Sequence, residues 1–585
     1  MISRARGRIL ADMIRTSVLP TSVLLSVAVG CAPGAQAPSW QATGTQGMVA
    51  SDSVYASQAG LEILKAGGNA FDAAAAASFA LAVVRPQSTG LGGGGFMLAR
   101  LAADGRIVVQ DFRETAPAAA TADMFSRVLK QRPDAPPPSQ HGHLAVAVPG
   151  VPAGRARMLE AYGTRSLAKV MAPAIRLARD GFHVDRHYAE SCAEVLKHYQ
   201  RYPQLVESCG YVYRVHLRGG ELPRAGDLLV QPELGRLLET IAANGPDAFY
   251  RGPVAEAIER EMQARGGILR AADLAAYGVV ENRRPIVSTY RDYTIIGMPP
   301  PSSGGVCLVE ALNVLEHFDL PAMWRSDPGA ATHHVIEAMK HAFADRARWL
   351  GDSDFVPVPV QLLTSKTYAA QIARAVDPGR CREVDTYGAE AIPEDAGTSH
   401  FCVVDRWGNV VVSTETINTP FGSLAAVDEW GLILNNEMDD FSTAPGDTNA
   451  YGLMQSARNA VGPHRRPLSS MCPTIVLRND EPYLLLGASG GPRIISSVLN
   501  VLLGVTDFGL SLEEAMLRSR AHHQWWPDEV YFDDEPPEPL VRALQSRGHR
   551  ISELRKTGVV QAVAIDEGAI IGASDPRKGG APAGY

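Results

Sequence analysis

The chain has 585 residues, 46% of them hydrophobic, a formal net charge of −8 and seven scattered cysteines. That length supports a large core, built as several domains or as one layered fold. The mild acidity gives no reason to expect nucleic acid as a partner, and without a CxxC pair or Cys/His spacing there is no metal framework, so small organic substrates fit best.

In chain order, Arg4, Arg6, Arg8 and Arg15 precede the apolar run Val18 to Gly30, and Cys31-Ala32-Pro33-Gly34 follows. That is the order of an export signal, which makes 1–31 a signal segment and the mature protein exported, in the periplasm. The small residues before Cys31 also resemble a lipoprotein cleavage site. A lipid anchor at Cys31 and a plain cut a few residues later both stay open. No other segment reaches the roughly 18 uninterrupted apolar residues of a membrane span. In an oxidising compartment Cys192 and Cys209 could close a polar loop, a pairing the sequence leaves open.

Beyond residue 46 the pattern is mixed α and β. The Ala-rich stretches Tyr55–Lys65 and Ala70–Val84 are expected helices, separated by Gly67-Gly68-Asn69. A glycine run at 90–95 then leads into expected strands Phe96–Leu101 and Ile107–Phe112. Such a run permits close backbone approach, but it lacks the GK[ST] ending of a phosphate loop. Expected helices follow at Ala168–Asp180, Leu234–Asn244, Pro253–Arg265, Val306–Leu315 and His333–Leu350, broken by the loop MPPPSSGG at 298–305. A charged connector, Asp377 to Gly397, is where the chain divides. After it, strands are expected at Phe401–Asp405, Val410–Ile417, Gly431–Asn435, Thr474–Leu477 and Tyr483–Leu486, then a helix at Ile494–Leu503.

Three constellations carry chemistry. Glu337, His341 and Asp345 share one face of the helix His333–Leu350, where a solvated or salt-bridged face is commoner than a metal site. Gly487-Ala488-Ser489-Gly490-Gly491 satisfies G-x-S-x-G between a strand and a helix, the context of a serine nucleophile, with Asp507 or Asp528 and His522 or His523 to complete a triad. The bland alternative for that turn is an oxyanion hole made of backbone N–H groups, and for His522-His523-Gln524-Trp525-Trp526 a packed aromatic turn. The third is Asp395-Ala396-Gly397-Thr398, a loop ending at a hydroxyl residue before a β-branched run. Thr398 becomes a useful nucleophile only if cleavage frees its α-amine to act as base; many strands begin with Thr for propensity alone.

Taken together, GLGGGGFML (90–98), DFRETAP (111–117), MPPPSSGG (298–305), EAMKHAFADR (337–346), GTSHFCVVD (397–405), LNNEMDDFS (434–442), RPLSSMCPT (466–474) and GASDPR (572–577) closely resemble the γ-glutamyltranspeptidases, N-terminal-nucleophile hydrolases that split γ-glutamyl amides. The resemblance runs from about residue 47 to Tyr585. It implies an α/β fold, a four-layer αββα sandwich, and self-cleavage between Gly397 and Thr398 into a large subunit (32–397) and a small catalytic subunit (398–585) that stay together as a heterodimer. It implies Thr398 as nucleophile, Thr416 as its hydrogen-bond partner, and Gly490 and Gly491 as the oxyanion hole. Arg113 with Ser469 and Ser470 would hold the substrate α-carboxylate, Asn418, Glu437 and Asp440 its α-ammonium, and Tyr451 would gate the pocket from a lid loop, 442–453. Glutathione and related γ-glutamyl compounds are the implied substrates, and water, amino acids or dipeptides the acceptors, with no cofactor and no metal. Cephalosporin acylases of the glutaryl type share the fold and are the rival reading. Ser489 and Pro492 depart from the common pattern of Pro and Ser at those places, which puts the rate in doubt, and Cys472 replaces a common Ser.

Overall fold

The computed structural model describes residues 39–383, 397–442, 449, 450, 453, 456–556 and 558–585. The expected signal segment and the last residues before Gly397 lie outside these. No helix among the described residues is long and apolar enough to cross a membrane.

Two antiparallel sheets form the centre. One has seven strands, in spatial order Gln41–Gly44, Ala569–Ser574, Val559–Asp566, Glu481–Ser489, Thr474–Arg478, Tyr293–Gly297 and Ile286–Tyr290. The other has six, Ala583–Gly584, Met48–Ser51, Thr398–Val404, Val410–Thr416, Gly94–Arg100 and Ile107–Phe112. Each sheet mixes strands from before and after residue 397. Helices Val54–Lys65 and Ala70–Val84 pack on the outer face of the six-stranded sheet, and Gly304–Leu315 and Arg493–Thr506 on the outer face of the other. The layers are therefore helix, sheet, sheet, helix, as the resemblance implies.

Strand periodicity of two decides what each residue of Thr398–Val404 meets. Phe401 and Val403 join the apolar cluster shared with the helices, whereas Cys402 and Val404 join the cluster that includes Leu484, Leu486 and Ala488 of the facing sheet. Both faces are covered, so the strand reads as a continuous apolar run. Thr398, His400 and Cys402 share the inter-sheet face. His400 sits under Gly487, where a Cβ would fall 2.3 Å from the ring. Its Nδ1 pairs with Thr414 Oγ1 at 2.8 Å, and burial pushes its pKa down to about 3, so it is a neutral core histidine.

The glycine run at 90–95 exists for close approach rather than for a turn. A Cβ on Gly93 would lie 1.9 Å from the Thr416 carbonyl oxygen, so only glycine lets this strand reach the one that carries Thr416. The expected strand Gly431–Asn435 contracts to Leu432–Ile433, because the flanking residues turn into the site loop Glu437–Asp440. The helix expected at His333–Leu350 begins earlier, at Pro328, with Asp327 capping Ala330 N–H. Cys192 and Cys209 are both free, buried thiols and form no disulfide.

Candidate active site

The strand that begins at Thr398 pairs with Val410–Thr416 so that Thr398 lies directly opposite Thr416. Their hydroxyl oxygens are 3.2 Å apart. Thr416 Oγ1 also donates to the Gly397 carbonyl oxygen at 2.7 Å and accepts from Asn418 N–H at 2.7 Å. A hydroxyl has one proton, and a carbonyl only accepts. Thr416 therefore spends its proton on Gly397, and the Thr398 hydroxyl must donate to Thr416. One side chain thus polarises the Gly397–Thr398 carbonyl and orients the hydroxyl next to it. Gly397 is tightly seated, since a Cβ there would fall 2.4 Å from the Gln87 carbonyl oxygen.

Thr398 and Thr416 open on a pocket also lined by Arg113, Arg346, Asn418 and Glu437, and by Asp440, Ser469, Ser470 and Gly491. Arg113 follows the strand Ile107–Phe112; Glu437 and Asp440 come from a single 3-10 turn. Arg113 lies 2.8 Å from Glu437 Oε2 and 2.6 Å from Asp440 Oδ2, with Glu114 at 3.4 Å. Burial alone would lower the Arg113 pKa, but the carboxylates of Glu437, Glu114 and Asp440 outweigh it and leave the guanidinium firmly charged. Burial pushes Glu437 well above the usual carboxylate range against the pull of Arg113, and takes Glu114 up to about 7. Although close to Arg113, neither Glu437 oxygen accepts a hydrogen bond of good geometry from the described residues. Glu437 thus keeps its acceptor capacity for an incoming cation, which a buried carboxylate strongly favours.

Asn418 lines this pocket in a left-handed conformation, φ 76°, held by Nδ2 donating to the Asn436 carbonyl. Ser469 and Ser470 are fixed by the loop 298–305. Ser303 donates from both its N–H and its hydroxyl to the Ser469 carbonyl, and the Ser302 hydroxyl donates to the Met471 carbonyl. Gly490 and Gly491 end the strand Glu481–Ser489 with φ 125° and 57°, and Gly491 faces the pocket beside Thr398. Tyr451 and most of the lid expected at 442–453 lie outside the described residues.

Among the described residues the serine-elbow reading finds no triad: the Ser489 hydroxyl meets Lys578 Nζ at 3.3 Å, His522 Nδ1 meets the Ser496 hydroxyl at 2.6 Å, and Asp507 is paired to Arg291. His523 and Asp528 do pair, at 3.2 Å, but the other ring nitrogen of His523 accepts from Trp525 N–H, so this pair is not joined to Ser489. Nor do Glu337, His341 and Asp345 converge: they face Lys340, Arg382 and Tyr368 respectively.

With that geometry in view, comparison with known proteins is decisive. The family model described as Gamma-glutamyltranspeptidase matches residues 56–585. The chain belongs to the gamma-glutamyltranspeptidase family. It is 45% identical to the glutathione hydrolase proenzyme of Escherichia coli over 91% of this chain and 90% of that one. Among solved structures it is similar to a cephalosporin acylase from Bacillus halodurans, with TM-score 0.80, 28% identity and 95% and 98% of the two chains covered. It is also similar to a gamma-glutamyltranspeptidase from Helicobacter pylori, with TM-score 0.51 and 43% identity over 56% of this chain and 90% of that one.

In this transpeptidase-family chain two site residues escaped sequence reasoning. Arg346, on the helix Pro328–Trp349, is fully buried; its Nε donates to the Ser303 hydroxyl at 2.9 Å and its Nη2 to Ser470 at 3.4 Å. Its Nη1 has no hydrogen-bond partner among the described residues. Lys578 donates to the Thr398 carbonyl at 2.5 Å and pairs with Asp52 at 2.7 Å, and Asp52 accepts from the Ser399 hydroxyl at 3.0 Å. Both lie in or next to the motifs already noted, at the end of EAMKHAFADR and just after GASDPR. Only the fold shows that these two motifs reach the nucleophile.

Proposed function

We propose that the chain cuts itself between Gly397 and Thr398, and that the freed Thr398 then carries γ-glutamyl groups from glutathione and similar amides to water or to acceptor amines. The observation that carries this reading is the convergence of the Thr398 hydroxyl and the Gly397 carbonyl on Thr416, at the wall of a pocket that holds Arg113 opposite Glu437 and Asp440. As a family member the chain is a γ-glutamyl hydrolase and transpeptidase; the assignment of individual residues is our proposal.

Self-cleavage would begin with Thr398 Oγ attacking the Gly397 carbonyl carbon while Thr416 stabilises the developing charge on its oxygen. The C–N bond breaks, the nitrogen takes up the proton given up by the Thr398 hydroxyl and becomes the α-amine, and water hydrolyses the resulting ester to leave the chains 32–397 and 398–585 as a heterodimer. In turnover the α-amine, which titrates near pH 8 when free, takes the hydroxyl proton. Thr398 Oγ attacks the γ-carbonyl, Gly490 and Gly491 N–H groups receive the oxyanion, and Cys-Gly departs with the proton. Water or an acceptor amine then releases the γ-glutamyl ester.

Selectivity follows from the charges. An α-amino acid head brings a carboxylate for Arg113, Ser469 and Ser470 and an ammonium for Asn418, Glu437 and Asp440, so it satisfies both halves of a pocket that otherwise pair with each other. A glutaryl side chain lacks the ammonium and would leave Glu437 without its cation, which disfavours the acylase reading despite the resemblance to the Bacillus halodurans enzyme. Tyr451 closes the pocket in this reading, and the protein works outside the cytoplasm, in the periplasm, either free or lipid-anchored through Cys31. The test is to assay γ-glutamyl-p-nitroanilide against glutaryl-7-aminocephalosporanic acid. Preference for the γ-glutamyl compound is expected, and preference for the glutaryl compound would reverse the assignment.

A further inference from the structure

One turn before Glu337 on the helix Pro328–Trp349, along the same face that was read in the sequence, stands His333; with Glu337 and His549 it brings two ring nitrogens and a carboxylate within 4.8 Å of one another, all three buried. His333 and Glu337 stand at i and i+4 on the helix, and His549 comes from the loop after the helix Glu538–Ser546. His333 Nε2 lies 2.8 Å from the Asp377 carbonyl. Because a carbonyl only accepts, that nitrogen carries the proton and Nδ1 presents its lone pair to His549 Nε2, 2.7 Å away. An imidazole whose other N–H is tied to a carbonyl is the arrangement that orients a metal ligand.

We propose that His333 Nδ1, His549 Nε2 and a Glu337 oxygen form a binding site for a divalent cation of the zinc type. Two imidazoles and one carboxylate match the ligand set of tetrahedral zinc, with a fourth position left to water. Tetrahedral ligation needs the donor atoms about 3.3 Å apart, so the two rings separate by less than about 1 Å. The proton on His549 Nε2 moves through solvent to Nδ1 as the cation takes its place, with no net release. Lys340, 3.2 Å from Glu337 Oε1, keeps Asp528 at 3.8 Å and the Arg382 carbonyl as partners when the metal takes the carboxylate. His549 also lines a cleft of about 200 Å³ with Cys381, His523 and Asp528, which gives a cation a route from solvent.

His333 and Glu337 precede residue 397 and His549 follows it. Given the cleavage proposed above, the cation would join the two chains by bonds that no single chain can make.

The test uses the full chain, chelator-treated and titrated with ZnCl2, and separately with CoCl2 for its visible spectrum. One zinc per molecule and a tetrahedral cobalt spectrum are expected both for the wild type and for the uncut Thr398→Ala variant, which separates this site from the cleavage proposal. His549→Gln, which can still hydrogen-bond His333, should bind about tenfold or more weakly and keep its γ-glutamyl activity. Zinc should also raise the urea concentration at which the cleaved chains part, in the wild type but not in His549→Gln. Absence of uptake by the wild type, or equal uptake by His549→Gln, would overturn the site.

Discussion

At the scale of the residue, a threonine hydroxyl is too weak an acid to attack an amide unaided, so everything rests on what surrounds Thr398. Thr398→Ala is expected to give one uncut and inactive polypeptide on a denaturing gel; two normal subunits from that variant would move the nucleophile elsewhere. Arg346 makes a second test. A buried guanidinium whose Nη1 has no hydrogen-bond partner among the described residues, beside the Ser470 hydroxyl, is a donor suited to an anion, and a hydrogen bond to a charged group contributes about 1.5–3 kcal/mol. Arg346→Met should therefore raise KM for γ-glutamyl-p-nitroanilide by roughly ten- to a hundredfold while cleavage into subunits proceeds. An unchanged KM would make Arg346 a purely structural residue. Arg113, Glu437 and Asp440 were legible through the resemblance of their motifs, DFRETAP and LNNEMDDFS, to those of the family, and the fold brings all three to one pocket. Arg346 and Lys578 were not, because nothing in a helix or a C-terminal loop tells which of its charges will be buried beside the site.

At the scale of the element, the strand Thr398–Val404 is held from both sides. Gly397 at its entrance has no room for a side chain against the Gln87 carbonyl, so Gly397→Ala should displace the scissile carbonyl from Thr416 and leave uncut precursor accumulating, measured by gel densitometry over time. On the outer face, Glu415 receives Arg155 and the Ser78 hydroxyl, with Arg155 also donating to Ser413 at 2.7 Å. This buried pair crosses from the segment before residue 397 to the one after it. Glu415→Ala would strand the Arg155 charge and should cost about 3–5 kcal/mol, seen as a lower unfolding temperature. The type of most elements was legible from composition and turn residues, as with the Ala-rich helix Ala70–Val84 and the strand expected at Val410–Ile417, which runs Val410–Thr416. Their limits were not: the strand starts at Thr398 rather than at Phe401 because Thr398, Ser399 and His400 pair with Thr416, Glu415 and Thr414, a partnership invisible from either stretch alone. The Cys192–Cys209 bridge fails for a similar reason, since the compartment and the spacing permitted it while the packing leaves two separate buried thiols.

At the scale of the whole molecule, cutting at residue 397 would sever the backbone without separating the halves. The six-stranded sheet places Thr398–Val404 between Met48–Ser51 and Val410–Thr416, and in the seven-stranded sheet four strands from after residue 397 are flanked on both sides by strands from before it. The cut protein should elute as one species on gel filtration without denaturant and resolve into two chains only when unfolded; early dissociation would contradict the interlocked arrangement. Family membership and the four-layer architecture were readable from the ordered motifs, whereas which strands neighbour one another belongs to the folded chain alone. The most direct test of the account is an intact mass spectrum of the purified protein with sequencing of its new N-terminus. Two polypeptides, the smaller beginning at Thr398 and ending at Tyr585, are predicted. An active protein that stays in one piece, or a cut at any other bond, would contradict Thr398 as the residue that both makes the break and does the chemistry.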